Sequence, residues 1–211
     1  MKALVIGATG ATGRDLVDLL LEDGTFEEVH IFVRRELPLR HKKLQTHIID
    51  FDRPQHWYRL VTGDVLFSCL GTTIKAAGTK EAQWKVDYDY QYQFTEAART
   101  NGVPTYVLVS STGASSTSRV FYSRMKGELE VAVKKLEFPS LTILQPPILD
   151  RKDSDRIGEK VGLKVITVLN KVGLLKSQRP LPTRELAQVM IRQAKEKPPG
   201  THVLSGKNVR I

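Results

Sequence analysis

Ser111, Tyr122 and Lys126 are three side chains that could together move a proton. Tyr122 and Lys126 stand at i and i+4, which is one face of a helix. A tyrosine hydroxyl ordinarily titrates near ~10. A neighbouring ammonium favours the phenolate, so a tyrosine placed this way can pass a proton to or from a carbonyl oxygen. A serine hydroxyl can hold the same oxygen. The Tyr-x-x-x-Lys spacing recurs by chance in chains of this composition, and its position is what gives it weight. It follows Ser110-Ser111-Thr112-Gly113, directly after the apolar run Tyr106 to Val109. Ser111 is the first choice for the serine and Ser110 the alternative.

A second set of residues suits a phosphate. Gly7-Ala8-Thr9-Gly10-Ala11-Thr12-Gly13 follows the apolar run Ala3 to Ile6 and precedes Leu16, Val17, Leu19 and Leu20. That order reads as strand, glycine loop, helix. A helix N-terminus offers unbonded N–H groups to an anion, and glycine lets a pyrophosphate approach the backbone. Arg34-Arg35 closes the next apolar run. In dinucleotide sites an acid at this place takes the ribose 2′-hydroxyl, whereas an arginine accommodates a 2′-phosphate. Glu36, the nearby acid, comes too late, so the expected cofactor is NADPH in preference to NADH. After the third strand, Asp50 could accept the adenine amino group and Phe51 could flank the ring. After the fourth, Leu70-Gly71-Thr72 allows close approach of the cofactor. Cys69 reads as a small buried apolar residue, since no basic neighbour in sequence lowers its pKa.

Strands must position these residues. Apolar runs recur at residues 2–6, Val29 to Val33, Val65 to Leu70, Tyr106 to Val109 and Leu141 to Leu144, with a weaker one at His47 to Ile49. Helix-like segments lie between most of them. This alternation predicts an α/β fold, a doubly wound parallel sheet of Rossmann type, with ligands beyond the carboxyl ends of the strands. The run Thr79 to Asn101 lacks Gly and Pro and joins two parallel strands, which favours helix. There Val86, Tyr90, Phe94 and Ala97 would share one face, and Trp84, Tyr88 and Tyr92 another. The second face would cover a neighbouring element or a second subunit, as in a homodimer. Past Pro146-Pro147 the pattern loosens. Helices near 157–170 and 183–196 and a short strand Thr201 to Leu204 are expected. The chain is thus read as one domain, residues 1–211, with a core over 1–146 and a small C-terminal lobe over 147–211.

The bulk numbers exclude several classes. An apolar fraction of 41% and a charged fraction of 26% suit a globular protein. No apolar run approaches bilayer length, and no charged segment with a long apolar stretch opens the chain. One cysteine excludes an intramolecular disulfide. These features lead to an expectation of a cytoplasmic protein without membrane contact. The five histidines fall at no metal-ligand spacing, so no metal is expected. The net charge of +9 could serve nucleic acid, but basic and aromatic residues do not interleave as on an RNA-stacking sheet. The charge also suits phosphate-rich ligands or simply a solvated surface.

These motifs resemble the short-chain dehydrogenase/reductase superfamily in its atypical branch, nearest to the Tat-interacting-protein-like oxidoreductases. The resemblance rests on residues 7–13, Arg34-Arg35, the run Asp64 to Thr73, Val86-Asp87-Tyr88-Asp89-Tyr90, residues 109–114 and Tyr122 to Glu128. It implies an NADPH site and a Ser–Tyr–Lys set, here Ser111, Tyr122 and Lys126, the lysine also binding the nicotinamide ribose. Where similar proteins read Arg-Pro-Gly, this chain reads Gln145-Pro146-Pro147. Pro146 and Ile148 are then the expected neighbours of the nicotinamide. The resulting expectation is a reductase of a small carbonyl substrate, or else a sensor that binds NADPH and acts through a protein partner.

Overall fold

The computed structural model describes residues 1–150 and 180–210. Its centre is a seven-stranded, all-parallel sheet. In chain order the strands are β1 (Lys2–Ile6), β2 (Glu28–Val33), β3 (Leu44–Ile48), β4 (Val65–Ser68), β5 (Thr105–Val109), β6 (Ser140–Gln145) and β9 (Gly200–Ser205). In space they run β3-β2-β1-β4-β5-β6-β9. The order reverses between β1 and β4, which makes that point the topological switch of a Rossmann-like fold. Two short strands, β7 (Leu149–Asp150) and β8 (Leu181–Pro182), pair separately.

Strand alternation divides the core between the two faces. Ala3, Val5, Val29, Ile31 and Phe67 point toward α1 (Ala11–Glu22) and α6 (Thr183–Glu196). Leu4, Ile6, Phe32, Leu66, Tyr106 and Ile143 point toward α4 (Tyr90–Thr100) and α5 (Phe121–Lys134). Each such aliphatic side chain, fully buried, contributes about 1.5–3 kcal/mol. α1 packs Leu16, Val17 and Leu20 against Leu186, Val189 and Met190 of α6. Thr183 Oγ1 donates to Asp15 Oδ2 at 2.5 Å, which fixes the start of α6 on α1.

Three expectations need adjustment. The weak strand at His47 to Ile49 begins earlier, at Leu44, because Gln45, Thr46 and His47 lie on the half-exposed outer strand and carry no apolar run. The run Thr79 to Asn101 is helical, but as α3 (Lys80–Trp84), a π-turn (Lys85–Asp89) and α4 in succession. The π-turn adds a residue to the local repeat, so no single 3.6 period fits. Its buried stripe is Gln83, Asp87, Gln91 and Thr95, beside Phe94, Ala97 and Ala98. Trp84, Tyr88 and Tyr92 stack on one another, half-buried. Finally, β9 is a strand of the main sheet and α6 covers one of its faces, so residues 181–209 are built into the main domain. The helix expected near 157–170 lies outside the described residues. Among the described residues, no helix is long and apolar enough to cross a membrane, and no acidic, His and Cys group could hold a metal.

Candidate functional site

All six loops that leave the carboxyl ends of β3, β2, β1, β4, β5 and β6 open on one edge of the sheet. Every predicted site residue except Tyr122 and Lys126 lies on one of these loops or at the start of α1. The register aligns Ile6 with Phe32 on one side and Ser68 on the other, so Arg34 and Leu70 flank the glycine loop.

The glycines are dictated by contact. Gly7 turns at φ +80°, and a Cβ there would overlap the Cys69 carbonyl and the Leu70 amide nitrogen. A Cβ on Gly13 would overlap the Gly7 carbonyl oxygen. Gly10 N–H closes the turn on Gly7 O at 3.0 Å. Gly10 then caps α1 with no side-chain acceptor, and the first turn holds no acid. The N–H groups of Ala11, Thr12 and Gly13 therefore have no intrahelical carbonyl to bond, the arrangement that receives a phosphate. Thr9 is exposed beside them and Thr12 is buried.

Arg34 and Arg35 are exposed at the end of β2, and among the described residues neither is held by a hydrogen bond or ion pair. Glu36 is engaged by Arg40 at 2.7 Å. Asp50 is exposed, but its carboxylate already accepts from the Asp52 N–H at 3.0 Å. Phe51 departs from expectation. Its ring is 4% exposed, against Tyr90 at 5.1 Å and Trp57 at 6.2 Å. The ring is core, and only the backbone there is left for a ligand. Burial pushes the Cys69 thiol up to about 12, in keeping with an inert apolar residue.

Tyr122 and Lys126 do share a face of α5. Tyr122 is 40% exposed and Lys126 only 3%. Among the described residues nothing hydrogen-bonds or ion-pairs with the Lys126 ammonium. The glycine cradle fits the phosphates of a dinucleotide, and ribose hydroxyls could accept from Lys126. The loop after β5 is held against α5 and the β6 loop. Ser115 N–H donates to Ser123 O at 3.0 Å, and Thr112 Oγ1 donates to Gln145 O and Pro146 O, each at 2.9 Å. α5 comes so close that a Cβ on Gly127 would overlap the Ser115–Ser116 backbone. The two serines separate. Ser110 is buried, and its hydroxyl donates to Glu130 Oε1 at 2.5 Å, while Gln145 Nε2 donates to both carboxylate oxygens. Ser111 is half-exposed, and its hydroxyl donates a long 3.3 Å bond to Thr112 O. Pro146 is buried beside this loop, and exposed Ile148 gives its carbonyl to Leu181 N–H.

Some residues of the site escaped the motif reading. Arg14 Nε donates to Thr9 O at 2.9 Å, across the glycine loop. The sequence did carry a signal: a cation in the first turn of a helix opposes the macrodipole unless an anion is also present. Asp87 Oδ1 accepts the Thr72 N–H at 2.7 Å, and Glu130 holds Ser110.

A parallel sheet with a glycine turn at its switch point, opening a helix with no side-chain cap, defines an NAD(P)-binding Rossmann-like protein. The chain matches the family described as NAD(P)H-binding over residues 7–197. It belongs to that family. It is 38% identical over 161 residues to Protein FMP52, mitochondrial, of Saccharomyces cerevisiae, covering 74% of this chain and 69% of that one. It is 32% identical over 203 residues to the Debaryomyces hansenii protein of the same name, covering 93% and 88%. To Protein HTATIP2 of Rattus norvegicus it is 34% identical over 169 residues, covering 77% and 69%. The fold is that of a UDP-glucose 4-epimerase from Thermotoga maritima, with TM-score 0.74, 15% identity and coverage of 99% and 77%. It is also that of a short-chain dehydrogenase/reductase superfamily protein from Agrobacterium tumefaciens with bound NAD, with TM-score 0.74, 15% identity and coverage of 98% and 77%. The relatives' names overturn the cytoplasmic expectation, since the FMP52 proteins are mitochondrial. A single cysteine and the lack of a long apolar run do not separate the two compartments.

Proposed function

We propose that this chain is an NADPH-dependent reductase of a small carbonyl compound. The observation that supports the reading is the placement on one face of α5 of solvent-facing Tyr122 and of Lys126, whose ammonium makes no hydrogen bond or ion pair with a described residue. Tyr122 donates its proton to the substrate oxygen, and the Lys126 ammonium stabilises the phenolate left behind. The Ser111 hydroxyl, not engaged in the interior as that of Ser110 is, holds the same oxygen. Nicotinamide, when bound, supplies the hydride. Arg34 and Arg35, with Glu36 occupied by Arg40, support a 2′-phosphate. The relatives' names support a mitochondrial location, which cell fractionation tests.

Wild type should bind NADPH more tightly than NADH, and Arg34→Asp should erase the preference. Against a panel of aldehydes, ketones and quinones, wild type should consume NADPH. Tyr122→Phe should not, while binding NADPH within a few-fold of wild type. Equal inactivity of wild type and Tyr122→Phe across the panel would sink the reductase reading.

A further inference from the structure

The buried polar stripe on the helical run Lys80–Thr100 has no apolar rationale. Gln83, Asp87, Gln91 and Thr95 occupy positions that a core-facing helix normally fills with Leu or Ala, and Asp87 and Gln91 are 0% exposed. Burying such groups is unfavourable unless each is bonded. Here they are, and the bonds lead to one place. Thr72 N–H donates to Asp87 Oδ1 at 2.7 Å. Gln83 Nε2 donates to Asp87 Oδ2 at 3.1 Å and to Thr72 O at 3.2 Å. Gln91 Nε2 donates to Asp87 O at 2.7 Å, and Ser68 Oγ at the end of β4 donates to Gln91 Oε1 at 2.6 Å. The stripe therefore grips the loop after β4 by both backbone groups of Thr72. That loop touches the glycine turn, since the Cys69–Leu70 backbone fills the space a Gly7 Cβ would need.

The π-turn is what delivers Asp87. It rotates Lys85–Asp89 out of α-helical register, so that one short segment reaches two cofactor-side loops. Lys85 Nζ pairs with Asp52 at 2.7 Å, and Tyr90 donates to the same carboxylate at 2.9 Å. That contact is exposed and contributes little, whereas the Asp87 contact is buried.

We infer that Asp87 is a positioning residue for the dinucleotide site: it fixes the Leu70–Thr72 loop, before any cofactor arrives, at the spacing the Gly7 turn requires. The inference rests on the reading of this loop as a cofactor contact and not on turnover. A carboxylate is needed because it accepts on both oxygens. In Asp87→Asn one amide nitrogen must face either Thr72 N–H or Gln83 Nε2, donor against donor. Gln83 cannot flip in response, because its oxygen would then meet Thr72 O.

The test uses the full chain with NADPH and NADH as probes. In wild type without nucleotide, the Thr72 amide should exchange hydrogen far more slowly than the amide of exposed Gly71. Asp87→Asn should speed Thr72 exchange and weaken NADPH and NADH alike by roughly ten-fold or more. Thr95→Val removes a hydroxyl from the same stripe, one that donates to Gln91 O and not to the Leu70–Thr72 loop, and should leave both affinities within two-fold. Fast Thr72 exchange in wild type, unchanged affinity in Asp87→Asn, or equal loss in Thr95→Val each overturns the inference. None of these results touches the cofactor assignment, which falls only if wild type binds neither nucleotide.

Discussion

Gly13→Ala sets two effects against each other. Gly13 lies in the first turn of α1 without a left-handed φ, so alanine is conformationally acceptable there. Helix propensity alone would favour it by about 1 kcal/mol. Packing opposes it. The new Cβ would overlap the Gly7 carbonyl oxygen and stand 2.8 Å from Gly7 C and 2.9 Å from Ala8 Cα. These are backbone atoms at a strand–turn–helix junction, so no side chain can rotate away. The displaced oxygen is also the acceptor that closes the turn from Gly10 N–H. Overpacking of this kind costs about 1–3 kcal/mol, and a backbone clash falls at the upper end. Net of propensity, a loss of about 1–2 kcal/mol remains. At roughly 2–4 °C per kcal/mol for a chain of this size, Tm should fall by about 2–8 °C. NADPH affinity should fall roughly ten-fold or more, because the displaced turn carries the phosphate-facing N–H groups. Thermal unfolding and fluorescence titration with NADPH measure both. Gly24→Ala, where a Cβ meets nothing within 4 Å, is the control and should change neither. If Gly13→Ala matches wild type in both readings, the close-packing account of this loop is wrong.

Two further predictions concern the serines and pH. Ser110→Ala should cost about 1.5–3 kcal/mol of stability by stripping a donor from the buried Glu130 carboxylate, whereas Ser111→Ala should stay within about 0.5 kcal/mol yet cut turnover on any accepted carbonyl by roughly a hundred-fold. The opposite pattern in denaturant unfolding and NADPH consumption would exchange their roles. His30 Nδ1 and His47 Nε2 lie 2.9 Å apart, and burial holds both rings below the ordinary histidine pKa. Below about pH 6.5 the unfolded chain then binds protons that the folded chain refuses, so stability should fall as the pH drops below about 6.5 and be flat in this respect above it. Constant or rising stability as the pH drops below about 6.5, read from urea midpoints, would refute the assignment.

Much of the site was legible because parallel connection forces it. Once strands alternate with helices, every strand-to-helix loop opens on the same edge, and Gly7, Arg34, Gly71 and Ser111 converge without further information. The helical run Lys80–Thr100 was legible in extent but not in facing. Asp87 and Gln91 between aromatic neighbours look like the solvent side of a helix, because an unbonded carboxylate or amide is costly to bury. Only long-range partners, Thr72 and Ser68, reverse that balance, and spacing along the chain does not reveal them. Phe51 fails for the complementary reason. A lone aromatic after a strand serves ligand or core equally well, and Trp57, Tyr90 and Phe94 decide for the core.

The serines show how far strand geometry alone could have gone. Side chains alternate across a sheet, so Tyr106 and Leu108 share one face of β5. Both belong to the core half covered by α4 and α5. Continued two residues on, the same alternation carries Ser110 to that face, toward α5. Glu130 waits there, one turn beyond Lys126. Ser111 comes next, where the backbone leaves the strand and turns, so it escapes the alternation and keeps its hydroxyl near solvent. A buried serine bonded to a buried carboxylate is poorly placed to hold a substrate oxygen as well. Period two therefore favours Ser111 over Ser110 on the same physical ground that builds the sheet, without any appeal to resemblance.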